Sequence, residues 1–158
     1  MSVQVISRAA SISAPGRITI TSRALPQPGP GEVRVRLLGC GICASNLPVW
    51  QGRDWFDYPQ EPGAPGHEGW GEIEALGDGV DTLSVGDRVA MLSYHAYAEH
   101  DLARADETVL LPEALRDQPF PGEPLACAMN IWSRSEIQPG QTVAIVGVGF
   151  LGSLLIQL

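Results

Sequence analysis

The cleanest alternation in the chain runs over Glu32–Leu38. There Val33, Val35 and Leu37 fall on one side, with Arg34 and Arg36 between them. A period of two with one apolar face predicts a strand half-buried in a sheet. Val3–Ser7 and Arg17–Thr21 alternate more weakly and read as edge strands. Gly69–Leu76 and Arg88–Leu92 read as strands, entered or left through glycine turns at Gly77–Gly79 and Val85–Asp87. Tyr97–Leu102 and Thr108–Leu111 add two short ones. Ala24–Gly31, with its prolines and glycines, and Trp50–Pro65, rich in Pro, Gly and aromatics, read as loops. Gly39–Gly41 interrupts the alternation just where the first thiols appear. Many short strands joined by glycine turns predict a small β-barrel or sandwich.

The pattern changes near Pro112. Glu123–Glu136 carries Leu125, Met129 and Trp132 at helical spacing. Thr142–Val146 is a continuous apolar run, as expected of a strand covered on both faces. Phe150–Leu158 reads as the start of a helix. Residues 1–115 therefore form a mainly β unit, and residues 116–158 open a βα unit of a second kind. No internal repeat or low-complexity segment is present.

Composition narrows the function classes. A hydrophobic fraction of 44% is enough to build a core, so wholesale disorder is excluded. A net charge of −8, with every basic residue an isolated arginine, opposes nucleic-acid binding. No basic amphipathic helix for a membrane surface is visible. The longest apolar stretch, Thr142–Leu158, is broken by glycines and too short to span a bilayer. With no signal peptide in Met1–Ala14 and an odd number of cysteines, a cytoplasmic chain with thiols or metal ligands is expected, not a disulfide framework.

The candidate chemistry lies in three ordered turns. Gly41–Cys43 offers a thiolate, and Gly66–Gly69 offers the imidazole of His67 and the carboxylate of Glu68. Glu123 adds another carboxylate. These are donor types that a catalytic zinc takes, with one position left open. The third turn contains Gly147, Gly149 and Gly152 in the order Gly-x-Gly-x-x-Gly, with Phe150 and Leu151 opening the helix between them. After a strand and before a helix, that order suits a dinucleotide pyrophosphate. Taken singly, each donor also reads as an ordinary turn or core residue. Cys40 and Cys43 form a Cys-x-x-Cys, a spacing that suits structural zinc or a redox pair. No second such pair completes a four-cysteine site, so Cys40 is expected to be a buried thiol. Cys127 is read as core, and His95 and His100 as surface residues. Trp50, Trp55, Phe56 and Tyr58 are candidates for a substrate pocket or a self-packed lid.

The stretch GEVRVRLLGCGICASNL at residues 31–47, followed by PGHEGWGEIEALGDGVDTLSVGDRVA at 65–90, resembles the zinc-dependent medium-chain dehydrogenase/reductase family. AYAEH at 96–100 and GEPLACA at 122–128 match its pattern too. The resemblance implies a GroES-like, partly open β-barrel followed by the first βα unit of a Rossmann-type domain. It implies an oxidoreductase that moves a hydride between an alcohol or polyol, or the matching carbonyl, and NAD or NADP. Cys43, His67 and Glu123 become ligands of one catalytic zinc. Glu68 becomes a carboxylate able to swing onto the metal, and Ser45 the hydroxyl that begins a proton relay. No structural zinc is implied, because the four-cysteine lobe is absent. A small-molecule substrate and a homo-oligomeric full-length form are implied as well.

Two positions depart from the family pattern. Asn46 stands where an Asp usually orients the ligating imidazole, although an amide oxygen can still accept that bond. Pro48 stands where a His often completes the relay. The chain reads as part of a protein roughly twice as long, inactive by itself, with apolar AIV and LLIQL segments exposed. A zinc-free NADPH quinone-reductase-like enzyme and a non-catalytic zinc- or partner-binding module are the alternatives.

Overall fold

The computed structural model describes residues 6–158. Strands β1 (Ile6–Ala14) and β2 (Arg17–Ala24) form an antiparallel hairpin. Five further strands follow: β3 (Glu32–Gly41), β4 (Glu68–Leu76), β5 (Arg88–Leu92), β6 (His100–Arg104) and β7 (Thr108–Leu110). They make one antiparallel sheet in the order β6-β3-β4-β5-β7. The β3–β4 ladder slips at Arg34/Val35 and again at Leu37/Gly39. Each irregularity raises the local twist, and the sheet curls into a half-barrel.

The alternation of β3 is realised as buried Val33 and Val35, with Leu37 partly buried beside them. They pack on Ile73, Leu83, Val89, Met91 and Ala103, so strands from across the sheet share one core. Gly86 adopts a left-handed φ of 93° at the Val85–Asp87 turn, a conformation that suits glycine. Its N–H donates to the Ile73 carbonyl and closes the turn before β5.

The hairpin is tied to the sheet through the segment before β6. Ala10 N–H donates to the Tyr97 carbonyl at 2.8 Å, and Glu99 N–H to the Arg8 carbonyl at 2.9 Å. Arg23 extends this tie. Its guanidinium donates to the Pro62 carbonyl at 3.1 Å and lies 3.6 Å from the buried Asp101 carboxylate.

Helix α1 (Leu47–Gln51) is short and has Pro48 in its first turn, where a missing N–H costs nothing. Helix α2 (Gly122–Arg134) packs on β4 and β5, and helix α3 (Phe150–Ile156) packs on α2. None of the described helices is long and apolar enough to cross a membrane.

Several elements differ from the sequence reading. Gly39–Gly41 does not end β3; the strand continues through a bulge to Gly41. Backbone pairing with β4 carries it past the point where side-chain alternation fails. The hairpin's first strand runs on to Ala14 from Ile6, while residues 3–5 of the expected Val3–Ser7 strand lie outside the described residues. The expected strand Tyr97–Leu102 appears as β6 from His100, and Trp50 and Gln51 end α1 instead of opening a loop. Helix α2 lies where expected but buries Pro124 and Ala128, leaving Met129 54% exposed. Thr142–Val146 joins no ladder among the described residues, and Val146 is fully exposed. A strand covered on both faces needs neighbours to pair with, and none is supplied there.

Candidate metal centre

The β3–β4 register brings the sequence-separated donors together. Gly41, the last residue of β3, pairs with Glu68, the first of β4. The end of one strand thus lies beside the start of the other. Cys43 follows β3 in extended conformation and leads into a 3-10 turn at Ala44–Asn46. His67 precedes β4 directly. One donor atom from each of Cys43, His67 and Glu68 lies within 4.8 Å of the others.

Glycines make room for this convergence. A Cβ on Gly41 would stand 1.8 Å from Glu68 Oε2, so the carboxylate occupies space that any other residue at 41 would fill. Gly66 likewise lies against the Ala96–Tyr97 backbone, where a Cβ would meet Tyr97 N at 2.5 Å. The Gly66 carbonyl accepts from Ala96 N–H at 2.9 Å, which fixes the loop that carries His67.

The tautomer of His67 follows from its partner. Nδ1 lies 3.1 Å from the Pro65 carbonyl oxygen, which can only accept. Nδ1 therefore carries the proton, and Nε2 keeps a bare lone pair that a metal can take. A thiolate, an imidazole and a carboxylate suit zinc in a mixed S/N/O site. Tetrahedral zinc with ligands at about 2.0–2.3 Å sets its donors roughly 3.3–3.8 Å apart. A trio already within 4.8 Å needs only small side-chain closure to reach that spacing.

Glu123 stands apart from this trio. It lies in the first turn of α2, and its Oε1 accepts the Cys127 thiol at 2.9 Å. That hydrogen bond, aided by partial burial, pushes the Cys127 thiol up to about 11. The same thiol feels Cys43 and Glu68 electrostatically, so α2 borders the trio without contributing to it.

Cys40 is a partly buried strand thiol that donates to the Gly41 carbonyl at 3.2 Å. Burial, with Glu68 and Asp101 nearby, raises it to about 11. Tyr97 donates to the same carbonyl at 3.4 Å and is raised to about 12 by burial and by Cys40.

Ser45 is exposed on the turn after Cys43. Asn46 does not take the imidazole's N–H, as the sequence reading allowed; its Nδ2 donates instead to the Pro65 carbonyl at 3.1 Å. His95 reaches Glu61 at 2.9 Å on the surface. His100 is not a surface residue. It is half-buried between Ser7 at 3.2 Å and Glu74 at 3.3 Å.

The aromatic candidates separate. Trp50 lines an apolar groove of about 870 Å³ between the hairpin and β3, together with Ile18, Ile20, Leu38 and Ile42. Trp55 is 70% exposed with Phe56 beside it, and Tyr58 donates to the Val49 carbonyl. The groove does not include Cys43, His67 or Glu68.

At the glycine fingerprint, Gly147 has φ 90° and Gly149 caps α3. A Cβ on Gly152 would meet the Gly147 carbonyl at 2.3 Å, so the third glycine allows the helix to close on the turn. Phe150 and Leu151 form the first turn of α3. The sequence reading missed two contributors. The Pro65 carbonyl is a backbone group with no sequence signal. The Cys127–Glu123 bond was signalled only by their i,i+4 spacing.

Residues 29–113 match the family model of the alcohol dehydrogenase GroES-like domain. The chain is 30% identical to the starvation-sensing protein RspB of Escherichia coli, over 93% of this chain and 51% of that protein. It is 33% identical to an alcohol dehydrogenase of Geobacillus stearothermophilus, over 80% and 47% respectively. The crystal structure of a short chain alcohol dehydrogenase (rspB) from E. coli CFT073, complexed with cofactor NADH, superposes with a TM-score of 0.82. That pair is 28% identical and covers 96% of this chain and 52% of that one. The chain thus spans about half the length of the curated relatives it matches.

Proposed function

This chain belongs to the alcohol dehydrogenase GroES-like domain family, and on that premise we propose that it is the zinc-bearing part of an oxidoreductase. The reaction moves a hydride between an alcohol or polyol, or the matching carbonyl, and NAD or NADP. The observation that carries this reading is the convergence of Cys43, His67 and Glu68 within 4.8 Å.

In this reading Cys43 Sγ, His67 Nε2 and a Glu68 oxygen would hold the metal, and Glu123, in the first turn of α2, would join as a further ligand on leaving its bond with Cys127. Zinc supplies Lewis acidity, which lowers the cost of negative charge on a substrate oxygen. Ser45, exposed on the turn after Cys43, would accept the hydroxyl proton on Oγ while passing its own proton to solvent, since Pro48 cannot continue a relay. A nicotinamide, when bound, would supply the acceptor for the hydride and its two electrons. The turn at Gly147, Gly149 and Gly152, opening α3 at Phe150 and Leu151, would hold the dinucleotide pyrophosphate. Residues 1–115 form the catalytic unit, and residues 116–158 begin the cofactor-binding one.

The test is zinc per chain by elemental mass spectrometry, for wild type beside Cys43→Ala and His67→Ala. Near-stoichiometric metal, lost in both variants, is expected. A well-folded wild type without zinc would move the assignment to a metal-free reductase or a non-catalytic module.

A further inference from the structure

We propose that Asn46 is a positioning residue that ties the two donor-bearing loops together and selects the donor nitrogen of His67 at one remove, through the Pro65 carbonyl. The inference deepens the zinc reading and rests on it only where zinc is concerned.

Asn46 bonds in both directions. Its backbone N–H donates to the Cys43 carbonyl at 3.0 Å, closing the turn that presents the thiol. Its side-chain Nδ2 donates to the Pro65 carbonyl at 3.1 Å, which is the oxygen that accepts from His67 Nδ1. A carbonyl oxygen has two lone pairs and serves both donors. With Nδ2 holding it in place, the imidazole proton stays on Nδ1 and Nε2 stays bare.

The other half of the amide supports this assignment. Asn46 is only 7% exposed, and its Oδ1 is buried with no hydrogen-bond partner. Were Asn46 a direct acceptor for the imidazole, Oδ1 would face Nδ1. The structure instead leaves the acceptor idle and uses the donor. A buried polar atom left without a partner calls for an explanation, and here the fixed direction of Nδ2 provides one.

This role separates Asn from Asp. A carboxylate at 46 cannot donate to the Pro65 carbonyl and would set an unpaired charge against that oxygen. Asn46→Asp is therefore expected to loosen the site, whereas direct acceptance from the imidazole would make Asp the better residue.

The test has two readouts. Long-range proton–nitrogen correlation spectra of metal-free, histidine-labelled protein, taken about two units above the ordinary imidazole pKa, report the tautomer. His67→Gln assigns the His67 signals among the three histidines. Wild type is expected as a single Nδ1–H form, and Asn46→Ala as a mixture. Zinc affinity by competition with a chromogenic chelator is expected to fall roughly tenfold to a hundredfold in both Asn46→Ala and Asn46→Asp.

An Nε2–H wild type would overturn the proposal, as would an unchanged tautomer in Asn46→Ala. If Asn46→Ala does not fold, the near-isosteric Asp variant decides, and tighter zinc binding in it overturns the proposal. Because the spectra are taken without metal, a tautomer that depends on Asn46 in a protein that never takes up zinc would sink the zinc reading and leave this one standing.

Discussion

Gly41→Ala tests whether the β3–β4 register builds the metal centre. The added Cβ would stand 1.8 Å from Glu68 Oε2, 2.9 Å from its Cδ and 3.0 Å from its Cβ. Swinging the carboxylate out of its place relieves the first two contacts, while the third, to a Cβ fixed by the backbone, requires the paired strands to give by a few tenths of an ångström. Overpacking of this kind costs about 1–3 kcal/mol. Gly41 is not among the left-handed glycines, so alanine adopts its backbone without strain. Restricting the unfolded chain then returns about 0.4–1 kcal/mol.

A net loss of roughly 0.5–2 kcal/mol is expected, read as a lower urea midpoint at unchanged slope. Zinc affinity falls as well, because the displaced carboxylate no longer meets Cys43 and His67. The decisive measurement is the double-mutant cycle with Glu68→Ala. Without the carboxylate only the 3.0 Å Cβ contact remains, so Gly41→Ala is expected to cost less, with a coupling of about 0.5–3 kcal/mol. The reasoning is refuted if Gly41→Ala costs the same in both backgrounds, or if the single variant keeps wild-type zinc affinity.

The remaining predictions concern α2 and the core. Cys127, held near 11 by Glu123, is expected to alkylate slowly at pH 8, and Glu123→Ala returns it toward 9. The gain in thiolate, offset by lower nucleophilicity, should raise the iodoacetamide rate about tenfold; an unchanged rate would rule out the hydrogen bond as the cause. The stability linkage of Cys127 runs one way. Its folded pKa is raised, so its contribution is complete below about 9 and is lost as pH climbs toward 11. Thermal melts of wild type and Glu123→Ala should therefore differ in their slope against pH only in that window. In the core, Ile73 is 1% exposed while Ile20 is 68% exposed. Ile73→Ala should cost about 2–5 kcal/mol by urea unfolding, and Ile20→Ala less than about 0.5 kcal/mol; similar costs at the two sites would refute the core placement.

Much of the sheet was legible because burial on one face leaves a period-two record. Val33, Val35 and Leu37 announce β3, and glycine turns bracket β4 and β5. The same rule failed at Met129, because helical spacing marks an apolar stripe but not which neighbour covers it. Pro124 and Ala128, small enough for close approach, face inward instead. It failed again at Thr142–Val146, where an apolar run is necessary for a doubly covered strand but pairing partners are what make one.

The amino-acid sequence by itself determined the donor types, the glycines that leave space beside them, and the order of strands that carries them. Those features are local: they depend on residue chemistry and on a period of two or of three to four. Tertiary structure alone decided which donors converge. The Gly41–Glu68 register put Glu68 beside Cys43 and His67, while Glu123 was claimed by Cys127. It also decided that His67 and Asn46 share the Pro65 carbonyl. A ladder register and the direction of a backbone carbonyl are set by bulges and by packing across the sheet, and no side-chain pattern records either.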